Sequence, residues 1–243
     1  FQQVLDAVKV SPMANVLHKV ESFFVVRNST SSYVYPNPDG TYKVVLADST
    51  LANGNPDILK LELDHELVHV GEGVTGGKAG IVSSRKDIGF ITAVAERLYD
   101  RLPKNSELYW HLGYPLNGSW AESNDPVRKK VELVAQLVSA YTNQKLGAEL
   151  HKESALLYKF AKDAHDEIVR QASRNIRPNR INQVVTGLVN SAPVFARRAS
   201  ERSETRTGSE TSSQKVTAAY DRIGNSSLYT DAAGVVGKAF RSF

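Results

Sequence analysis

One short stretch, Leu61 to Val70, constrains this chain more than any other because it contains a His-Glu-x-x-His motif. Apolar residues recur at helical spacing through the stretch and through the residues before it. The segment therefore predicts a helix on which His65 and His69 lie one turn apart on the same face. Its candidate boundaries are Asn53 or Asn55 with Pro56 at the start, and Gly71 or Gly73 at the end.

Two imidazoles placed one helical turn apart can both bind a single Zn²⁺, at about 2.0–2.1 Å each. The intervening Glu66 is rotated from His65 by roughly a third of a turn, so it lies beside such a metal rather than on it. A carboxylate in that position suits a general base that activates water for attack on a carbonyl. The motif thus predicts a hydrolytic metal centre that needs at least one more ligand.

This motif is the signature of the zincin metallopeptidases, and the chain resembles that superfamily here. The metzincin subgroup continues with a Gly and a third His, but this chain has Glu72 and Thr75 at those positions. Its single methionine, Met13, precedes the helix, whereas metzincins carry a downstream methionine turn. The resemblance therefore implies a different third ligand, a carboxylate on a later helix.

Glu132 is our candidate for the third ligand. In zincins of the Glu type, that ligand comes from a Glu-x-x-Ala pattern on a helix after the active-site helix, and Glu132 and Ala135 match it. The segment 132–136 also resembles the Glu-Leu-Val-Ala-Glu pattern of zincin-like domains in phage and plasmid polyvalent proteins, with Gln136 in place of the last acid. The similarity covers roughly residues 40–145 at motif level. Alternative ligands are Glu122, Asp125 and Glu96.

Further residues are candidates for supporting roles in such a site. Asp64 or Gln136 could hold a ligand imidazole by its second nitrogen, although an ordinary surface polar group is the simpler interpretation of each. Peptide hydrolysis also needs a donor for the oxyanion. Leu108 to Pro115 is expected to be an aromatic-rich loop, and it supplies the candidate donors Tyr109, His111 and Tyr114.

The composition indicates a globular chain, with 243 residues, 41% hydrophobic residues and 23% charged residues. No cysteine is present, which excludes disulfides and thiolate metal sites. No apolar run approaches the length of a membrane span, so no membrane partner is expected. We see no signal peptide, but the chain begins at Phe1 rather than Met, so the compartment is left open.

The predicted fold class is α+β and zincin-like: a small, mostly antiparallel sheet packed on the active-site helix, followed by a helical subdomain. β-branched and aromatic residues predict strands at Ser22–Arg27, Tyr33–Tyr35 and Thr41–Ala47. By the resemblance, Thr41–Ala47 is the candidate edge strand for pairing with extended substrate. Helices are predicted at 87–102, 127–143 and 148–173, with a further one at 181–199.

We predict three regions: a zincin-like domain at 1–150, a helical extension at 151–198 and a polar, basic tail at 199–243. Arginines outnumber acidic residues between Arg170 and Arg206. Such a stretch can contact nucleic acid or an acidic partner weakly, although a solvated surface is the simpler interpretation.

Three functional hypotheses follow from these patterns. The first is a zinc metallopeptidase that acts on a protein or peptide substrate. The second is a non-catalytic, zincin-like interaction module whose Arg-rich part binds nucleic acid or a partner. The third combines them, as a protease domain cut from a larger phage or mobile-element protein and targeted by its tail.

Overall fold

The computed structural model describes residues 2–27, 29, 31–74, 78–117 and 125–174. Over these residues the protein is α+β and mostly helical, with one small mixed sheet. The predicted helix at 181–199 and the predicted tail lie outside them. None of the described helices is long and apolar enough to cross a membrane.

The N-terminal part builds the sheet. Helix α1 (Gln2–Val10) and a 3-10 helix (Ala14–Lys19) lead into strand β1 (Val20–Val26). Strand β2 (Tyr33–Pro36) and strand β3 (Tyr42–Ala47) then form an antiparallel hairpin. The turn between them includes Gly40 at φ 81°, a backbone conformation that glycine adopts without a steric penalty.

The strand order is β1-β3-β2, and this order corrects two predictions. β1 pairs with β3 in parallel, so the sheet is mixed rather than mostly antiparallel. β3 is central and paired on both sides, which means that the segment 41–47 cannot be the free edge for substrate. The edges belong to β1 and β2, because the hairpin occupies one side of β3 and β1 occupies the other.

The remaining described residues form seven helices and the segments that connect them. The helices are α2 (Asp48–Ala52), α3 (Pro56–Glu72), α4 (Ile88–Arg101), α5 (Glu107–Asn117), α6 (Pro126–Thr142), α7 (Gln144–Glu153) and α8 (Ala155–Arg174). The motif helix α3 packs against α1, α6, α8 and the 3-10 helix. It therefore occupies the centre of the helical layer.

Helix α5 contradicts the prediction of an aromatic-rich loop at 108–115. Leu108, Leu112 and Leu116 recur every four residues and are buried together on one side of the helix. Pro115 lies inside the helix close to its C-terminal end, where its missing N–H removes one backbone hydrogen bond, to the carbonyl of His111. The buried leucine face thus outweighs the local Gly113 and Pro115 signals that favour a loop.

The predicted helix at 148–173 is instead a pair, α7 and α8. Ser154 interrupts them with an extended backbone, at φ −155° and ψ 93°. Its hydroxyl accepts a hydrogen bond from the backbone N–H of Leu157 at 3.3 Å, which caps the start of α8. Ile168 of α8 belongs to the same hydrophobic core as Leu67 of α3. The domain boundary at residue 150 stays a prediction, but α8 packs directly on the motif helix.

Candidate metal centre

Helix α3 presents the two histidines as its sequence predicts. The side chain of Asn55 accepts a hydrogen bond from the backbone N–H of Asp57 at 2.9 Å, and Pro56 takes the first helical position. At the other end, Gly73 adopts the left-handed conformation with φ 73° and caps the helix. His65 and His69 lie between these caps, with their rings edge to face and their centroids 4.7 Å apart.

Helix α6 brings Glu132 to the same place. The carboxylate of Asp125 accepts hydrogen bonds from the backbone N–H groups of Val127 and Arg128 and so caps the helix. Ala135, one turn after Glu132, is fully buried where α6 packs along α3. Glu132 itself is buried, so it is not a solvated surface glutamate.

Three ligand atoms converge between these helices. The Nε2 atoms of His65 and His69 are 3.0 Å apart, and Glu132 Oε2 lies 3.3 Å from the first and 3.5 Å from the second. Metal–ligand bonds of 2.0–2.1 Å in a tetrahedron place ligand atoms about 3.3–3.4 Å from each other. The observed triangle is close to one face of that tetrahedron. Among the described residues, this is the group of His and acidic side chains with the geometry to hold a metal ion.

The hydrogen bonding of Glu132 also fits a metal better than a network of the protein alone. Its buried Oε2 makes no well-aligned hydrogen bond within the described chain, although both imidazole nitrogens are near. Buried carboxylate oxygens are normally satisfied. A cation placed among the three ligand atoms would satisfy Oε2 together with both Nε2 lone pairs. The donor set, two imidazoles and one carboxylate, is one that Zn²⁺ uses in catalytic sites.

Two of the three rival ligands have other partners in the structure. Glu96 pairs with Lys129, their nearest atoms 2.5 Å apart, and Asp125 is committed to capping α6. Glu122 lies outside the described residues. Glu72, one turn after His69, is buried but accepts hydrogen bonds from the 82–83 segment at 2.5–3.0 Å. Its carboxylate holds that segment to the end of α3.

The electrostatics couple His69 to Glu132. Burial alone would raise the pKa of Glu132, but the neighbouring charge of His69 and the close nitrogen of His65 hold it well below its usual range. Burial likewise opposes protonation of His69, yet the carboxylate of Glu132 outweighs it and raises the His69 pKa to about 9. The metal-free protein therefore carries a proton on this pair near neutral pH.

Glu66 behaves differently from Glu132. Its side chain is buried, and burial raises its pKa to about 7 against the opposing charges of His65 and His69. Its Oε2 has no hydrogen-bond partner among the described residues. A carboxylate with a pKa near 7 can both accept and return a proton at neutral pH.

The two candidates for orienting an imidazole have different outcomes. The carboxylate of Asp64 is fully buried and accepts hydrogen bonds from Ser11, Lys60 and Thr142 at 2.5–2.9 Å. It joins α3 to segments beside it and holds no imidazole, so that assignment is wrong. The side-chain oxygen of Gln136 is buried without a hydrogen-bond partner in the described chain. Its role as an imidazole partner stays a prediction.

The three candidate oxyanion donors, which all lie on α5, make different contacts. Tyr109 stacks on Tyr99 with centroids 4.6 Å apart. His111 Nε2 donates to the backbone carbonyl of Gln136 at 2.8 Å, and burial lowers its pKa to about 4, which keeps it neutral. Tyr114 alone of the three has a ring contact with a metal-site residue, at 6.4 Å between its centroid and that of His65.

Arg128 is a site neighbour that sequence reasoning missed. It lies one turn before Glu132 on α6, and only 4% of its surface is exposed. Burial lowers its pKa to about 10, and the charge of Glu132 opposes that effect. The signal available in the sequence was the four-residue spacing from Glu132, which puts both side chains on one helix face.

Comparison of the chain with protein-family models, with curated proteins and with solved structures found no match.

Proposed function

We propose that this protein is a zinc-dependent metallopeptidase that hydrolyses peptide bonds. The observation that carries the proposal is the convergence of His65, His69 and Glu132 beside a buried Glu66 whose pKa is raised to about 7. His65, His69 and Glu132 would hold Zn²⁺. When bound there, Zn²⁺ supplies a Lewis acid that polarises a carbonyl and acidifies water.

Glu66 is the general base of the proposed reaction. It takes a proton from the attacking water and later returns it to the nitrogen of the leaving amine. Both steps need a carboxylate whose pKa lies near the working pH. The burial of Glu66 provides this, because it destabilises the charged form.

Tyr114 is the proposed donor to the oxygen that gains charge during the attack. Its ring meets that of His65 edge to face, with the centroids 6.4 Å apart. A phenolic O–H that reaches the reacting carbonyl can stabilise that developing charge.

The zincin resemblance supports the same proposal. A small sheet precedes a His-Glu-x-x-His helix, and a later helix brings a Glu-x-x-Ala segment against it. The likeness to the zincin-like domains of phage and plasmid polyvalent proteins is part of this proposal and extends no further than the motifs.

The test is zinc content by elemental analysis together with hydrolysis of a generic unfolded protein. Wild type should bind about one zinc per chain, and Glu132→Ala should lose it. Glu96→Ala is the matched control, because Glu96 is the rival carboxylate that pairs with Lys129, and it should retain zinc. Glu66→Gln should keep zinc but lose hydrolysis.

The alternative outcomes separate the hypotheses. Zinc-free wild type would make the two histidines structural and leave the interaction module as the better explanation. Zinc binding without hydrolysis of any substrate would also favour that module. Its proposed nucleic-acid contact, through the Arg-rich segment, lies mostly outside the described residues and stays a prediction.

A further inference from the structure

Helix α5 exposes two aromatic side chains on one face. Trp110 is 71% exposed and Tyr114 is 43% exposed, while the leucines of the opposite face are buried. Residues four apart on a helix are neighbours on its surface. A contiguous exposed apolar patch can mark a binding surface, whereas single exposed apolar side chains are ordinary. We refer to Trp110 and Tyr114 together as the aromatic shelf.

The aromatic shelf begins at the metal centre. Tyr114 meets the ring of His65 edge to face, with the centroids 6.4 Å apart and the planes at 81°. Trp110 lies one helical turn further along α5, about 6 Å away along the helix axis. The shelf therefore leads away from the metal residues along a single direction.

The helix that carries the shelf is held firmly beside the site. Tyr109 stacks on Tyr99 of α4, and it also meets Trp110 edge to face at 5.7 Å. His111 donates to the backbone carbonyl of Gln136 on α6, the helix that also carries Glu132. Contacts to α4 and α6 thus set the position of both aromatic rings relative to the metal residues.

The spacing of the shelf matches that of an extended peptide. A strand rises about 3.3–3.4 Å per residue and points alternate side chains to the same face, so those side chains are about 6.6–6.8 Å apart. The two shelf residues are separated by about 6 Å along α5. An extended chain that passes the metal centre can therefore place one side chain on Tyr114 and the next but one on Trp110.

We propose that the aromatic shelf is a specificity subsite for peptides that carry two bulky apolar side chains at alternate positions. This inference rests on the proposed peptidase function, because it assumes that a peptide reaches the metal centre. Apolar side chains gain by leaving water against exposed rings, and aromatic ones gain further from edge-to-face contacts.

The test compares a synthetic hexapeptide that has phenylalanine at two alternate positions with the same peptide carrying alanine there. Binding is measured on zinc-loaded Glu66→Gln, so that turnover does not interfere. Cleavage of both peptides is measured on wild type. We expect the phenylalanine peptide to bind more tightly and to be cleaved faster, on the order of 10-fold.

Three variants assign the effect to the shelf. Trp110→Ala should remove most of the preference by raising KM, with little change in zinc content. Phe90→Ala is the matched control, because Phe90 is a similarly exposed aromatic, at 62%, on α4. It should leave the preference unchanged. Tyr114→Phe keeps the ring, so it should preserve the preference while lowering kcat.

Peptide binding to zinc-loaded Glu66→Gln tests the specificity subsite even if the wild-type protein hydrolyses neither peptide. Equal binding of the two peptides, or an unchanged preference in Trp110→Ala, would overturn the proposal that the aromatic shelf is a specificity subsite. Absence of hydrolysis with intact selective binding would overturn the peptidase proposal and leave the shelf as a peptide-binding surface. Cleavage of both peptides without any difference between them would overturn the specificity subsite and leave the peptidase proposal standing.

Discussion

Two buried carboxylates lie near the same pair of histidines, and their pKa values move in opposite directions. Burial raises the pKa of Glu66 to about 7, whereas the charge of His69 and the nearby nitrogen of His65 hold the pKa of Glu132 below its usual range against the effect of burial. The difference comes from position, because Glu132 reaches both imidazole nitrogens within 3.5 Å. These opposite shifts are consistent with the proposed roles, Glu132 as a cation ligand and Glu66 as a proton carrier.

Replacement of Glu66 tests the proton-transfer role. Glu66→Gln removes the proton acceptor but preserves size, so hydrolysis should fall by about 10²–10⁴-fold while zinc content stays unchanged. Glu62→Gln, the same substitution one turn earlier on α3, is the matched control and should remain active. Steady-state rates with elemental analysis provide the measurement. A Glu66→Gln protein with half the wild-type rate would contradict the assignment.

The His69–Glu132 pair predicts how zinc binding depends on pH. Zn²⁺ needs a neutral imidazole, so it competes with the proton that the pair holds until pH about 9. Zinc affinity should therefore rise between neutral pH and about pH 9 and level off above it. Chelator competition across that range measures the slope. An affinity that is constant over the range would show that the pair holds no such proton.

Zinc affinity should rise with pH, whereas the stability that the His69–Glu132 pair gives to the metal-free fold should fall with pH. The folded-state pKa of His69 is raised above the ordinary value of 6.5, so protonated His69 stabilises the fold below about pH 6.5. That contribution is lost as the pH rises through about 9. Urea unfolding of chelator-treated protein should show this trend, and Glu132→Gln, which lacks the carboxylate charge, should not.

Two neighbouring elements, α8 and the 3-10 helix, approach helix α3 closely at its C-terminal end. A Cβ atom added to Gly71 would lie 2.3 Å from Ile168 Cγ2 on α8 and 3.2 Å from Val16 on the 3-10 helix. Ile168 is β-branched and fully buried, so it has little freedom to move away. The glycine thus allows three elements to meet beside the second histidine.

Gly71→Ala should therefore destabilise the protein by about 1–3 kcal/mol, as is typical of overpacking. Gly89→Ala is the matched control. It lies in α4 where an added Cβ meets no atom within 4 Å, and it should stabilise by about 0.5–1 kcal/mol through helix propensity. Urea unfolding of both variants gives the comparison. Equal stabilities would contradict the packing described at Gly71.

The proposed metal centre connects two helices that are far apart in sequence. Its histidines lie on α3 and its carboxylate on α6, and both helices are part of one hydrophobic core. A ligand that binds only the folded state stabilises it by mass action. Bound zinc should therefore stabilise the fold as well as supply the chemistry.

The expected stabilisation is about 2.7 kcal/mol when free zinc is 100 times its dissociation constant. Thermal or urea unfolding with zinc, and with chelator, measures it. Glu132→Ala should show no response to zinc, whereas Glu96→Ala should respond like wild type. An identical midpoint with zinc and with chelator in wild type would argue against a metal ion held between α3 and α6.

Helices α3 and α6 and their caps could be predicted from sequence because the deciding signals are local. Asn55-Pro56 and Asp125-Pro126 satisfy the first backbone N–H groups, and the apolar spacing between them extends the helices. The motif spacing then puts His65 and His69 on one face. Those features depend only on residues within a few turns of each other.

Other features depended on residues that meet only in the folded chain. The sheet order places β3 in the centre, and no local pattern specifies which strand becomes an edge. Helix α5 forms although it contains Gly113 and Pro115, because its leucine face is covered by the core. That packing also selects Tyr114, out of three aromatic-loop candidates, as the neighbour of His65.

The sequence alone determined the motif helix, its caps and a short list of ligand candidates, since backbone hydrogen bonding and side-chain periodicity act over a few residues. The tertiary structure decided which carboxylate joins the histidines. Glu132 does so because α6 packs along α3, while Glu96 and Asp125 are engaged by Lys129 and by the start of α6. Burial then assigns different protonation to Glu66 and Glu132, because a pKa responds to the charges and solvent that surround the group in three dimensions.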